Sequence, residues 1–186
     1  LSMTQPKIRV GVLFGGKSGE HEVSLVSAQN VMDAINPDKY EIVPIGITKA
    51  GVWLTGPKVM KQLRDTAQMP PKLAAQSNDI AHHLTNFLSQ SIVAKAETSE
   101  NLDVIFPILH GPMGEDGTVQ GFLELANIPY VGSGVTGSAA AMDKAIAKDI
   151  FQAHGLPIVS HRIIQRRQWQ KMPDIIIEHI EDALLY

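Results

Sequence analysis

Cysteine is absent from the 186 residues. That excludes disulfides and thiolate metal sites. No apolar run approaches the roughly 20 residues that a membrane helix needs. No signal-peptide pattern precedes the first strand. The cytoplasm is therefore the expected location, and no membrane partner is expected. Basic residues are not in excess: 16 Lys and Arg stand against 19 Asp and Glu. A nucleic-acid binder shows a clustered basic surface, so no nucleic-acid partner is expected either. The zinc pattern His-Glu-x-x-His is also missing, and the first glycine-rich turn reads Gly15-Gly16-x-x-Gly19 in place of the dinucleotide fingerprint Gly-x-Gly-x-x-Gly. The remaining composition, 44% hydrophobic and 19% charged, suits a globular chain with a real core. Its length fits one domain and part of a second. Leu1 and Ser2 stand before Met3 and read as an expression scar around a native start.

Strand and helix patterns alternate along what is there. Residues 7–14 are almost continuously apolar apart from Arg9, as suits a buried parallel strand. Val23, Val26 or Ser27, Val31 and Ile35 recur near helical spacing, so a helix is expected over about 20–35, stopped at Asn36-Pro37. Strands are expected over 40–48, 52–54, 104–109, 129–131 and 157–164. Pro107 marks the end or edge of its strand. Helices are expected near 59–65, from Thr118 onward, over 138–153 and over 173–185, the last with Ile176, Ile177, Ile180 and Leu184 inward. Residues 66–101 read as a loop with short irregular pieces. His82 and His83 lie in it and are expected at the surface. No internal repeat is visible. The class is α/β: an open, mainly parallel, Rossmann-like sheet with helices on both faces. The expected division is 3–155 for one domain and 156–186 for the start of a second that is cut off.

Three glycine-rich turns, 15–20, 110–117 and 132–134, each follow an expected strand. In an open parallel sheet such turns share the carboxyl-terminal edge, where ligands bind. The topology therefore brings Glu20, Glu22, His110, Glu115 and Asp116 near one another. Carboxylates at a helix start suit an ammonium group better than a phosphate. A histidine at a strand end can bind a carboxylate or act in acid–base work. For each turn alone the plainer reading is a tight bend with helix-capping acids, and for His110 a bond to a backbone carbonyl. A lone Lys144 beside Asp143 reads as a solvated helix residue. The pattern Gly11-x-x-x-x-Gly16-Lys17-Ser18 matches a P-loop literally. It is rejected because Val12, Leu13 and Phe14 belong to the strand and two acids crowd the turn.

The stretch 14–24, Phe-Gly-Gly-Lys-Ser-Gly-Glu-His-Glu-Val-Ser, resembles the amino-terminal signature of D-alanine–D-alanine ligases. Residues 110–121, His-Gly-Pro-Met-Gly-Glu-Asp-Gly-Thr-Val-Gln-Gly, resemble their second signature. Residues 129–134 and 141–144 follow in the expected order. The resemblance covers about 7–164 and implies a pre-ATP-grasp domain. It implies an ATP-dependent ligase that joins two D-alanines for the peptidoglycan precursor through an acyl phosphate. Glu20 would hold the ammonium of the first D-alanine, and Val23 and Ser24 would belong to that subsite. His110 would sit near the carboxylate, supported by Glu115. Lys144 would contact ATP phosphate. The implied cofactors are ATP and Mg²⁺ or Mn²⁺, with no metal ligand in this chain and the acidic ligands beyond residue 186. The chain is expected to be inactive alone, and the complete protein to be a homodimer. A D-alanine–D-lactate ligase and a non-catalytic amino-acid-binding domain are the alternatives.

Overall fold

A computed structural model describes residues 6–67 and 102–184. The readings for 68–101, including His82 and His83, lie outside the described residues. The chain divides into two compact units, 1–142 and 143–186.

The first unit is built on β1 (Ile8–Gly15). It pairs in parallel with β2 (Tyr40–Ile47) on one side and with β4 (Val104–Pro107) on the other. The short β3 (Trp53–Thr55) adds antiparallel to β2, giving the order β3-β2-β1-β4. Its alternating side chains feed two cores. Val10, Val12 and Phe14 pack with Leu25 and Ala28 of α1 (His21–Ala34) and with Val59 and Leu63 of α2 (Val59–Ala67). Leu13, Ile45 and Ile105 pack on the opposite face with Val119 and Leu123 of α3 (Thr118–Leu125). Helices therefore cover both faces of a mainly parallel sheet, the expected fold class.

Gly11 stands in the middle of β1, paired with Val43 and Ile105. A β-carbon there would lie 2.5 Å from Ile105 Cδ1 and 3.0 Å from Ile45 Cδ1. Close packing of the second core, not a phosphate loop, accounts for this glycine.

Several expectations need correction. The buried stripe of α1 is His21, Ser24, Leu25 and Ala28, whereas Val23 and Val26 are exposed; the face is rotated by about one residue. The strand expected over 129–131 is a single parallel bridge between Tyr130 and Ile105. The helix expected over 138–153 is two helices, α4 (Val135–Met142) and α5 (Lys144–Ala153). Asp143 divides them. Its backbone is extended, and Oδ1 accepts from the N–H groups of Ala145 and Ile146 at 2.9 and 3.2 Å. A side chain that satisfies those donors starts a new helix in place of continuing the old one. Finally, the strand expected over 157–164 is irregular. The second unit has no strand among its described residues, and a lone strand leaves its backbone groups unpaired.

The rest of the second unit is α6 (Arg166–Lys171) and α7 (Pro173–Leu184). On α7 the half-buried residues are Ile176, Ile180 and Ala183. Ile177, expected inward, is 41% exposed, because a stripe at i, i+4, i+7 leaves it outside.

Replacing Gly11 by Val should lower stability by about 1–3 kcal/mol, the usual cost of overpacking. Urea unfolding of the two proteins measures it, and an unchanged midpoint would contradict the packing role.

Candidate functional site

The site begins where β1 ends. Gly15 has φ +89°, and a β-carbon there would lie 2.2 Å from the Ile47 carbonyl oxygen. Only glycine fits this turn. The chain then enters α1, whose first N–H groups point toward the sheet edge. Ser24 lies one turn into that helix and is fully buried. Its hydroxyl accepts from the Gly15 N–H at 2.8 Å and donates to the Ile108 carbonyl. Ser18 makes a second link: its hydroxyl donates to the His110 carbonyl at 2.7 Å and accepts from the Glu20 N–H at 3.2 Å. His21 is buried, its Nδ1–H donating to the Gly16 carbonyl at 2.7 Å.

These bonds hold the turn after β1 against the loop after β4. On that loop Gly111 has φ +72°. Its N–H donates to Glu115 Oε2 at 2.7 Å, and Glu115 Oε1 lies 4.0 Å from His110 Nδ1. His110 Nε2 lies 3.2 Å from Ser27 Oγ on α1. A β-carbon on Gly111 would come within 2.7 Å of Glu20 Oε2, so the Glu20 carboxylate lies over this glycine. Glu20, His110 and Glu115 are thus gathered at one edge although ninety residues separate the groups. The third turn adjoins the second, since a β-carbon on Gly117 would lie 2.8 Å from the Val135 carbonyl oxygen.

The acids have different fates. Glu22 pairs with Lys49, Nζ to Oε1 at 2.5 Å. The hydrogen bond from Lys49 holds its carboxyl below the ordinary value, aided by the Glu22 backbone N–H and opposed by slight burial. Glu20 makes no cap hydrogen bond and no ion pair among the described residues. It is exposed. Of the two acids in the first turn of the chain, Glu20 is the one open to a cation.

Comparison with known proteins bears on the family of this chain. The family described as "D-ala D-ala ligase N-terminus" matches residues 9–133. The chain belongs to the D-alanine–D-alanine ligase family. It is 44% identical over 183 residues to the D-alanine–D-alanine ligase of Natranaerobius thermophilus, covering 97% of this chain and 48% of that protein. The ligase of Deinococcus radiodurans is 43% identical, with 91% and 45% covered. Among solved structures, the VanG D-Ala:D-Ser ligase of Enterococcus faecalis superposes with a TM-score of 0.67 at 31% identity, over 97% of this chain and 50% of that one. The D-alanine–D-alanine ligase of Coxiella burnetii gives 0.67 at 29%, over 96% and 49%. The chain spans about half the length of the curated relatives it matches.

Within this family member, the expected site residues fall into three groups. Glu20, His110 and Glu115 are together at the sheet edge. Val23 is exposed on the outer side of the first turn of α1, and Ser24 lies beneath it with its hydroxyl fully used. Lys144 opens α5 in the second unit and is exposed. Among the described residues no group of three or more His, Asp or Glu side chains could hold a metal ion. No helix there is long and apolar enough to cross a membrane. Beside the site, Gly16, Lys17, Ile47, Trp53, Leu109 and Phe122 line a cavity of about 250 Å³.

Sequence reading missed Ser18, His21, Ser27 and Lys49. Ser27 had a signal: Glu20, Ser24 and Ser27 stand at i, i+4, i+7, one face of a helix. Ser18 and Lys49 had none, because their partners are brought in by the tertiary fold.

The Glu22–Lys49 pair straps the β2–β3 turn to α1. Since the Glu22 carboxyl is lowered by folding, its contribution is complete above the ordinary carboxylate range and is lost as pH falls through the lowered value. Both side chains are half exposed, 51% and 55%, so screening keeps the pair weak. Glu22→Gln should cost about 0.5 kcal/mol at neutral pH and nothing once the wild-type carboxyl is protonated. Denaturation midpoints of both proteins across that pH range test this.

Proposed function

We propose that this chain is the substrate-binding amino-terminal portion of an ATP-dependent ligase. The complete protein joins two D-alanines into D-alanyl-D-alanine for the peptidoglycan precursor. The observation that carries the reading is the open Glu20 carboxylate beside the His110–Glu115 pair, in a chain of this family. An amino acid is a zwitterion, and this edge offers a carboxylate for its ammonium and an imidazole for its carboxylate. Paired charges of this kind offset the cost of leaving water. Val23, exposed beside Glu20, would line the same subsite. The curated relatives are named D-alanine–D-alanine ligases, which favours D-alanine over D-lactate as the second substrate.

ATP would supply the phosphoryl group that activates the first D-alanine's carboxylate, with Mg²⁺ or Mn²⁺ as its companion cation. The amine of the second D-alanine then attacks, and phosphate leaves. The part of this chain's residues is to bind and orient. Glu20 fixes the ammonium, and Glu115 keeps the imidazole of His110 toward the carboxylate where negative charge must be balanced. Lys144, exposed at the start of α5, is assigned to ATP phosphate. Residues 3–155 are read as the substrate-binding domain and 156–186 as the start of the central region, a boundary later in the chain than the division into compact units at 142 and 143. The complete protein is read as a cytoplasmic homodimer, and this chain by itself as inactive.

Two variants of the complete protein test the reading. Glu20→Gln should raise KM for the first D-alanine strongly and leave that for ATP nearly unchanged. Wild-type kinetics for both substrates would remove Glu20 from the site. His110→Ala should lower kcat by about 10²–10⁴-fold, as for a positioned acid–base or electrostatic group. A change below about threefold would reduce it to a structural histidine.

A further inference from the structure

The loop between β4 and α3 carries both His110 and Glu115, and its backbone is unusual at one point. Met113 has φ +69°. A residue with a β-carbon is disfavoured there. Met113 is also 49% exposed, so packing of its side chain does not hold it. What does hold it is Asp116. Asp116 Oδ2 accepts from the Met113 N–H at 2.9 Å, and Oδ1 accepts from the Thr118 N–H at 3.0 Å. One carboxylate thus bridges the left-handed residue to the first residue of α3. Burial pushes the Asp116 carboxyl up, yet the hydrogen bonds from Met113 and Thr118 outweigh it and lower the carboxyl below its ordinary value. The Met113 carbonyl in turn accepts from the Val119 N–H at 3.2 Å, and the Glu115 N–H donates to the Gly111 carbonyl at 3.0 Å. The loop is a closed ring with His110 at one end and Glu115 near the other.

We propose that Asp116 is a positioning residue: it holds Met113 left-handed, and through that backbone it sets His110 and Glu115 against each other. The proposal rests on the roles given to His110 and Glu115 above. A simpler role, capping α3 through Thr118, would not involve Met113 at all. Glycine adopts the left-handed conformation without help, so Met113→Gly separates the two.

The test uses the complete protein as wild type, Asp116→Ala, Met113→Gly and the double variant. Hydrogen exchange is followed in a peptide spanning 110–118, and kinetics are measured for D-alanine and ATP. Asp116→Ala should lose protection in that peptide and lose about 10–100-fold in kcat/KM for D-alanine, the scale of misplaced reacting groups. KM for ATP should stay within about twofold. Adding Met113→Gly should restore most of both losses. Unchanged protection in Asp116→Ala, or a double variant as impaired as the single one, would overturn the proposal. If Asp116→Ala does not accumulate, Asp116→Asn, which keeps one acceptor oxygen, is judged by the same outcomes. Should the wild type make no D-alanyl-D-alanine while the exchange pattern holds, the ligase reading falls and the clamp on the loop stands.

Discussion

The buried hydroxyl of Ser24 ties the sheet edge together. β1 and β4 pair over only four positions, from Val10 with Val104 to Leu13 with Pro107. Beyond them the two chains must part to make their turns, and their backbone groups lose ladder partners. Ser24 takes the Gly15 N–H and the Ile108 carbonyl at once. Ser18 continues the seam one turn farther, at the His110 carbonyl. A buried donor left without a partner costs about 1–3 kcal/mol, so each hydroxyl replaces a ladder bond the sheet can no longer offer. This seam holds the turn after β1, which carries Glu20, against the loop after β4, which carries His110.

On that frame, acids of the same chemistry are given different work. Glu22 is neutralised by Lys49 from the β2–β3 turn. Glu115 is held by the Gly111 N–H and faces His110. Asp116 is spent on backbone donors. Glu20, at the start of α1, keeps its carboxylate open. Charge alone does not distinguish these groups. Their partners do, and most of those partners are distant in sequence.

The sheet was legible because its signals are local and repeated. β1 is an unbroken apolar run, and its center strand position follows from being buried on both faces. Gly11 could be set apart from a phosphate loop because the strand register runs through it. The rotated face of α1 was not legible, because His21 and Ser24 are polar residues buried for their hydrogen bonds, which a hydrophobic pattern does not register. The break at Asp143 was missed for a related reason: a side chain competes there with the helix backbone.

By itself, the sequence determined the α/β class, the order of the first unit's main elements and the family, since the periodicity of apolar residues and the two glycine-rich signatures are written in consecutive positions. Only the tertiary structure decided which carboxylate is open, which histidine is buried and which serines are seams. Those properties depend on contacts across eighty to ninety residues, Ser24 with Ile108 and Ser18 with His110. No local pattern carries such contacts, because they exist only once parallel strands have brought their ends to one edge.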